Sequence, residues 1–82
     1  MTSWVIQLGA LDDEVKAKAI LDHARSRSGR ALAKASAFTE KVVREGTTLY
    51  RARFSGFDEA PSAEAACKTL KRSGFNCFAT RS

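Results

Sequence analysis

From Trp4 to Leu8 the chain reads Trp-Val-Ile-Gln-Leu, residues that suit a pleated strand, and the run stops at Gly9. Beyond it Asp12, Asp13 and Glu14 are acids suited to a helix N-terminus, and Arg25 and Arg27 are cations suited to a C-terminus. Ala17, Ile20, Leu21 and Ala24 recur between them at the spacing of one helix face, which predicts a helix from about Asp12 to Arg27, stopped near Gly29. Arg30 to Ala35 reads equally as loop or as a short helical turn. From about Ala37 to Glu45 apolar and polar residues roughly alternate, as in a strand with one wet face. Glu45-Gly46-Thr47 predicts a hairpin turn into a third strand, Leu49 to Phe54. Pro61, Ser62 as a cap, the apolar stripe Ala63, Ala66, Cys67 and Leu70, and Gly74 as a stop define a second helix. Phe75 to Thr80 is the last predicted strand.

The order β-α-β-β-α-β has a simple packing solution. Two right-handed crossovers interleave into an α+β, ferredoxin-like sandwich: a four-stranded antiparallel sheet with both helices on one face and the first and third strands central. The other face has no helix to cover it, so function is expected there. Strand parity assigns the faces. With Trp4, Ile6 and Leu8 turned to the helices, Val5 and Gln7 point to the open face. With Tyr50, Ala52 and Phe54 inward, Leu49, Arg51 and Arg53 point outward. Phe75 and Cys77 then face the helices and leave Asn76 and Phe78 outside. A parity error of one residue would make Phe78 core, and Trp4 has both a core reading and a stacking one. The set Val5, Gln7, Leu49, Arg51, Arg53 and Phe78 combines an amide, two guanidiniums and apolar platforms. That mixture suits a polar, partly anionic, elongated ligand.

Eighty-two residues make one small unit, residues 1–82, with no repeat or linker that divides it. Fourteen Lys and Arg against nine Asp and Glu give a formal charge of +5. That balance favours anionic partners without choosing among nucleic acid, acidic lipid and acidic polysaccharide, and it also fits a merely solubilising surface. No apolar run approaches the ~18 residues of a membrane span, so membrane insertion is not expected. The start Met1-Thr2-Ser3-Trp4 lacks the basic and apolar regions of a signal peptide, so an export signal is expected outside this sequence if the domain works beyond the cytoplasm.

Cys67 falls on the buried stripe of the second helix and Cys77 has inward parity, so both face one interface. A disulfide and a pair of buried thiols are both compatible with that placement. Two cysteines and one histidine lack zinc-ligand spacing, and no cofactor motif is present. His23, off the apolar stripe, reads as a solvated side chain. No nucleophile elbow, paired carboxylates or glycine-rich phosphate loop appears, so catalysis is not expected.

Three segments in this order resemble a known family. Trp4-Val5-Ile6-Gln7-Leu8-Gly9-Ala10 is similar to the opening strand of the SPOR domain, with its Gln and following Gly. Leu49-Tyr50-Arg51-Ala52-Arg53-Phe54-Ser55-Gly56-Phe57 is similar to that family's third strand and its exit, and Ala65 to Gly74 to its closing helix. Two departures stand out: Ser55-Gly56 replaces the common Gly-Pro exit, and Ala10 replaces a small hydroxyl residue. The resemblance implies a non-catalytic module that binds glycan strands of peptidoglycan, preferring those stripped of stem peptides, in the periplasm and at the division septum; nothing in the sequence demands more than a monomer. A stripped muramic acid frees a lactyl carboxylate that Arg51 and Arg53 would bind through charge-assisted hydrogen bonds. Gln7 would address acetamido and hydroxyl groups, while Val5, Leu49 and Phe78 would cover sugar faces. A periplasmic setting also favours the oxidised form of Cys67 and Cys77.

The rival from another class is an RNA-binding module of RRM type, which shares this element order and a basic charge. That class places stacking aromatics on its middle strands. Here the corresponding outward positions hold Gln7, Arg51 and Arg53, so nucleic acid is not the expected partner. A protein-interaction domain on the same fold is a third reading, because fold does not determine function.

Overall fold

The computed structural model describes residues 4–82; the chain start from Met1 to Ser3, read above for signal character, lies outside the described residues. The elements run β1 (Trp4–Leu11), α1 (Glu14–Arg27), β2 (Ser36–Arg44), β3 (Thr47–Phe57), α2 (Ala60–Arg72) and β4 (Phe78–Arg81). One antiparallel sheet has the order β2-β3-β1-β4, with β1 and β3 central as expected. Trp4 pairs with Arg81 on β4 and with Phe57 on β3, so the described chain enters and leaves the sheet at the same end.

The core lies between sheet and helices. Ile6, Leu8, Ala52, Phe54 and Phe57 from the strands meet Ala17, Leu21 and Ala24 of α1 and Ala63, Ala66, Cys67 and Leu70 of α2. Four of the seven helix residues are alanines, small side chains that leave room for the bulky Phe54. Leu32, from the segment between α1 and β2, is fully buried and completes the cluster. Among the described residues no helix is long and apolar enough to cross a membrane.

Several element ends differ from the sequence expectation, each for a local reason. α1 begins at Glu14 and not at Asp12, because Asp13 is extended (φ −135°, ψ 127°) and its Oδ1 accepts from the amides of Val15 at 2.7 Å and Lys16 at 3.3 Å. That is an N-cap, and it satisfies two of the free amides of the first turn. Asp13→Ala is expected to cost about 1 kcal/mol and lower the melting temperature by roughly 4–8 °C, measured by calorimetry. Ser62 does not cap α2: Glu59 occupies the N-cap position without a side-chain bond, and Pro61 sits in the first turn. β4 starts at Phe78 and not at Phe75, because Phe75 is used to close α2. Its amide donates to Leu70 O at 3.0 Å while that of Gly74 (φ 94°) donates to Lys71 O at 3.0 Å. This pair of bonds is a Schellman closure, which keeps Phe75 beside the helix end.

The ambiguous stretch after α1 folds into successive turns, with the amides of Leu32, Ala33 and Ala35 bonded to carbonyls three residues earlier. Arg25 clips it down: Nη1 donates to Leu32 O at 3.1 Å and Nη2 to Ala35 O at 2.9 Å, with the guanidinium 5.4 Å from the centre of the Phe54 ring. The hairpin between β2 and β3 uses only two residues, Glu45 and Gly46, both at positive φ (50° and 80°), as a type I′ turn requires. Cys67 and Cys77 form a disulfide, with Cα atoms 5.2 Å apart, between α2 and the residue preceding β4. His23, exposed as expected, stands edge-on to the ring of Phe75 at 5.3 Å.

Candidate functional site

Two irregularities in the sheet decide which side chains reach the open face. β1 pairs Gln7 with Arg53 and then Gly9 with Ala52, so Leu8 is an extra residue on β1. β3 pairs Ser55 with Val5 and Phe57 with Trp4, so Gly56 is an extra residue there. At a bulge two residues oppose one, and the alternation of faces shifts by one position beyond it. Leu8 remains in the core, and Ala10, opposite Arg51, arrives on the open face. Gly56 (φ 112°) also lets the backbone of Lys34 approach: a Cβ there would lie 2.9 Å from Lys34 O. The Ser55-Gly56 exit thus carries β3 through to Phe57 in the sheet before the chain turns into α2.

By register the face opposite the helices carries Val5, Gln7 and Ala10 from β1, and Leu49, Arg51 and Arg53 from β3. β4 adds Phe78 and Thr80, and β2 adds Phe38, Glu40, Val42 and Arg44. All six residues expected on this face lie on it, but to different depths. Phe78 is 51% exposed and Leu49 36%, so both present apolar surface. Val5 is only 3% exposed, which limits the surface it offers to a ligand. Gln7, at 8%, is set between its cross-strand neighbours Arg53 and Phe78. Trp4 has the opposite orientation: it is half-buried against the core, with the Arg81 guanidinium 5.4 Å from its ring centre.

The polar centre of the face is a short chain of bonds. Arg53 Nε donates to Gln7 Oε1 at 2.7 Å. A guanidinium has donors only, so it fixes Gln7 Oε1 as the accepting end of the pair and leaves the NH2 end as a further donor. Arg51 Nη1 lies 3.3 Å from Glu40 Oε1, and Arg53 Nη1 lies 3.7 Å from the same oxygen. Beside these groups is a shallow hollow of about 210 Å³, lined by Gln7, Ala10, Val42, Arg44, Thr47, Leu49 and Arg51. Ala10 forms part of its lining and adds no hydrogen-bonding side chain.

Glu40 and Arg44 are the charged members of this face that parity on β1, β3 and β4 alone does not reveal. A two-residue hairpin at Glu45-Gly46 pairs Arg44 with Thr47, and counting back along the ladder sets Glu40 opposite Arg51. With Arg44, Arg51, Arg53 and Glu40 the described face carries a surplus of positive charge in which donors outnumber acceptors. Its chemistry is therefore to receive carbonyl, hydroxyl and carboxylate oxygens, with Leu49 and Phe78 as flat apolar neighbours. Among the described residues no group of three or more His, Cys, Asp and Glu is placed to hold a metal ion.

The SPOR domain family model matches residues 1–81 of the chain. The cell division protein FtsN of Caulobacter vibrioides is 38% identical over 74 residues, covering 89% of this chain and 27% of that protein. The chain thus spans about a quarter of the length of that relative. The SPOR domain of RlpA from Pseudomonas aeruginosa superimposes with a TM-score of 0.78 at 18% identity, over 96% of this chain and 99% of that one. The peptidoglycan binding domain of the B. subtilis cell wall lytic enzyme CwlC gives 0.70 at 16% identity, over 100% and 91%. At such identities the two superpositions establish the fold, an α+β sandwich with one antiparallel sheet and two helices.

Proposed function

The chain belongs to the SPOR domain family, and from that premise we propose that it is a non-catalytic module that binds peptidoglycan glycan strands lacking stem peptides, on the open face of its sheet. The observation that carries this reading is the pair Gln7–Arg53 on the face without helices, bonded at 2.7 Å, with Arg51 on the same strand as Arg53. Together with Arg51 it gathers several donors on one face, where Glu40 is the one carboxylate beside them among the described residues. A glycan strand without stem peptides offers acetamido carbonyls, hydroxyls and a lactyl carboxylate on each muramic acid. The carboxylate is the group that two guanidiniums distinguish best from a neutral amide. A stem peptide converts that carboxylate to an amide and adds bulk over the sheet, so it weakens binding through both charge and exclusion.

The relatives support a setting for this binding. A cell division protein shares 38% of aligned residues with the chain, and one structural neighbour is a peptidoglycan binding domain. We place the domain in the periplasm, at the septal wall, where it tethers the protein that contains it. The buried disulfide fits an oxidising compartment.

A sedimentation assay with purified sacculi tests the proposal. The domain is expected to pellet with amidase-stripped wall more than with untreated wall, and excess single-stranded RNA should not release it. Gln7→Ala and Arg51→Ala should each weaken the binding about threefold to tenfold while leaving the fold intact, checked by circular dichroism. Equal pelleting on both walls would refute the preference for stripped strands. Release by RNA would instead favour a nucleic-acid partner.

A further inference from the structure

We infer that Glu40 is an internal carboxylate that occupies the guanidinium pair in the free domain and that a ligand carboxylate must take its place. The inference rests on the glycan-binding reading above and concerns the same face. One oxygen, Glu40 Oε1, stands 3.3 Å from Arg51 Nη1 and 3.7 Å from Arg53 Nη1. A single carboxylate thus reaches both groups assigned to the anion.

The three side chains are not equally accessible. Glu40 is 46% exposed, Arg51 32% and Arg53 13%. Glu40 is the outermost of the three, and it comes from β2, an edge strand. Arg53 is held from the other side by Gln7, so the guanidinium stays in place when its outer partner leaves. A solvent-exposed ion pair is weak because water screens it, and the long side chains lose freedom when they pair. Replacing one carboxylate by another therefore costs little. The exchange keeps the guanidiniums paired and releases Glu40 to solvent, where it still repels the bound anion. Glu40 accordingly holds the two arginines ready and limits how tightly an anion is kept.

The test pairs a change in the protein with a change in the ligand. The protein variants are Glu40→Gln and Glu40→Ala, each checked for an unaltered melting temperature. The probes are a peptide-free oligosaccharide of alternating N-acetylglucosamine and N-acetylmuramic acid with free carboxylates, and its methyl ester. Glu40→Gln is expected to tighten binding of the carboxylate probe by about twofold to fivefold, the range of one exposed ion pair, and to change the ester much less. Glu40→Ala should act in the same direction. Unchanged or weaker binding of the carboxylate probe, or an equal gain with both probes, would overturn the inference while leaving the glycan reading intact. If the wild-type domain binds neither probe, the glycan reading itself fails, and this inference with it.

Discussion

Arg53→Ala is expected to reduce binding to stripped sacculi by tenfold or more, the largest single loss on this face. The estimate follows from what Arg53 holds together. Its Nε is bonded to Gln7 at 2.7 Å, its Nη1 faces Glu40, and its side chain is 13% exposed. Removing it frees the Gln7 amide to turn, takes away one anion partner, and leaves Glu40 on Arg51 alone. Arginine residues fixed in partly dry surroundings are where binding energy tends to concentrate, with losses of roughly 2 kcal/mol or more on truncation. Arg53→Lys would keep the charge but lose the planar fork, so it should recover only part of the affinity. Pelleting measured across a salt series, with circular dichroism as the check on folding, decides the matter. If Arg53→Ala binds as the wild type does, the anion site lies elsewhere.

The second large effect concerns stability. Replacing Cys67 and Cys77 together by alanine should lower the unfolding free energy by about 2–3 kcal/mol. That is the entropy a bridge removes from the unfolded chain when it closes a loop of this size. In a domain of this length it corresponds to a fall of roughly 10–20 °C in melting temperature. The loss should also be uneven. β4 pairs with β1 through only four residues, Phe78 to Arg81, and the bridge is anchored one residue before them. Amide exchange in Phe78–Arg81 should therefore quicken more than in β1 or β3. A melting temperature that falls by less than ~3 °C would mean that helix packing alone fixes the C-terminal strand.

Much of this architecture can be read from side-chain alternation. Ile6 between Val5 and Gln7, and Ala52 between Arg51 and Arg53, assign both central strands to their correct faces because each face meets a different solvent. What alternation cannot show is an inserted residue. Leu8-Gly9 reads as the end of a strand, yet the bulge there carries β1 on to Leu11 and brings Ala10 into the hollow. Glu40 is hidden for a related reason: its place depends on whether the hairpin turn has two residues or three, and one residue decides the face. The Phe75 amide that closes α2 and the clip made by Arg25 are tertiary choices. In sequence, Phe75 looks like a strand residue and Arg25 like a dipole partner. The Cys67–Cys77 bridge was one of two outcomes open to two inward-facing cysteines.

Trp4 and Arg81 sit side by side at one end of the sheet, while Val42, Arg44, Thr47 and Leu49 line the hollow toward the hairpin end. Both residues therefore lie at the end remote from that hollow. On the proposed binding reading the domain is a gripping head with its handle at the back. A long or bulky attachment at either terminus can swing without sweeping across the hairpin end, so fusing different cargoes there should leave the grip unobstructed.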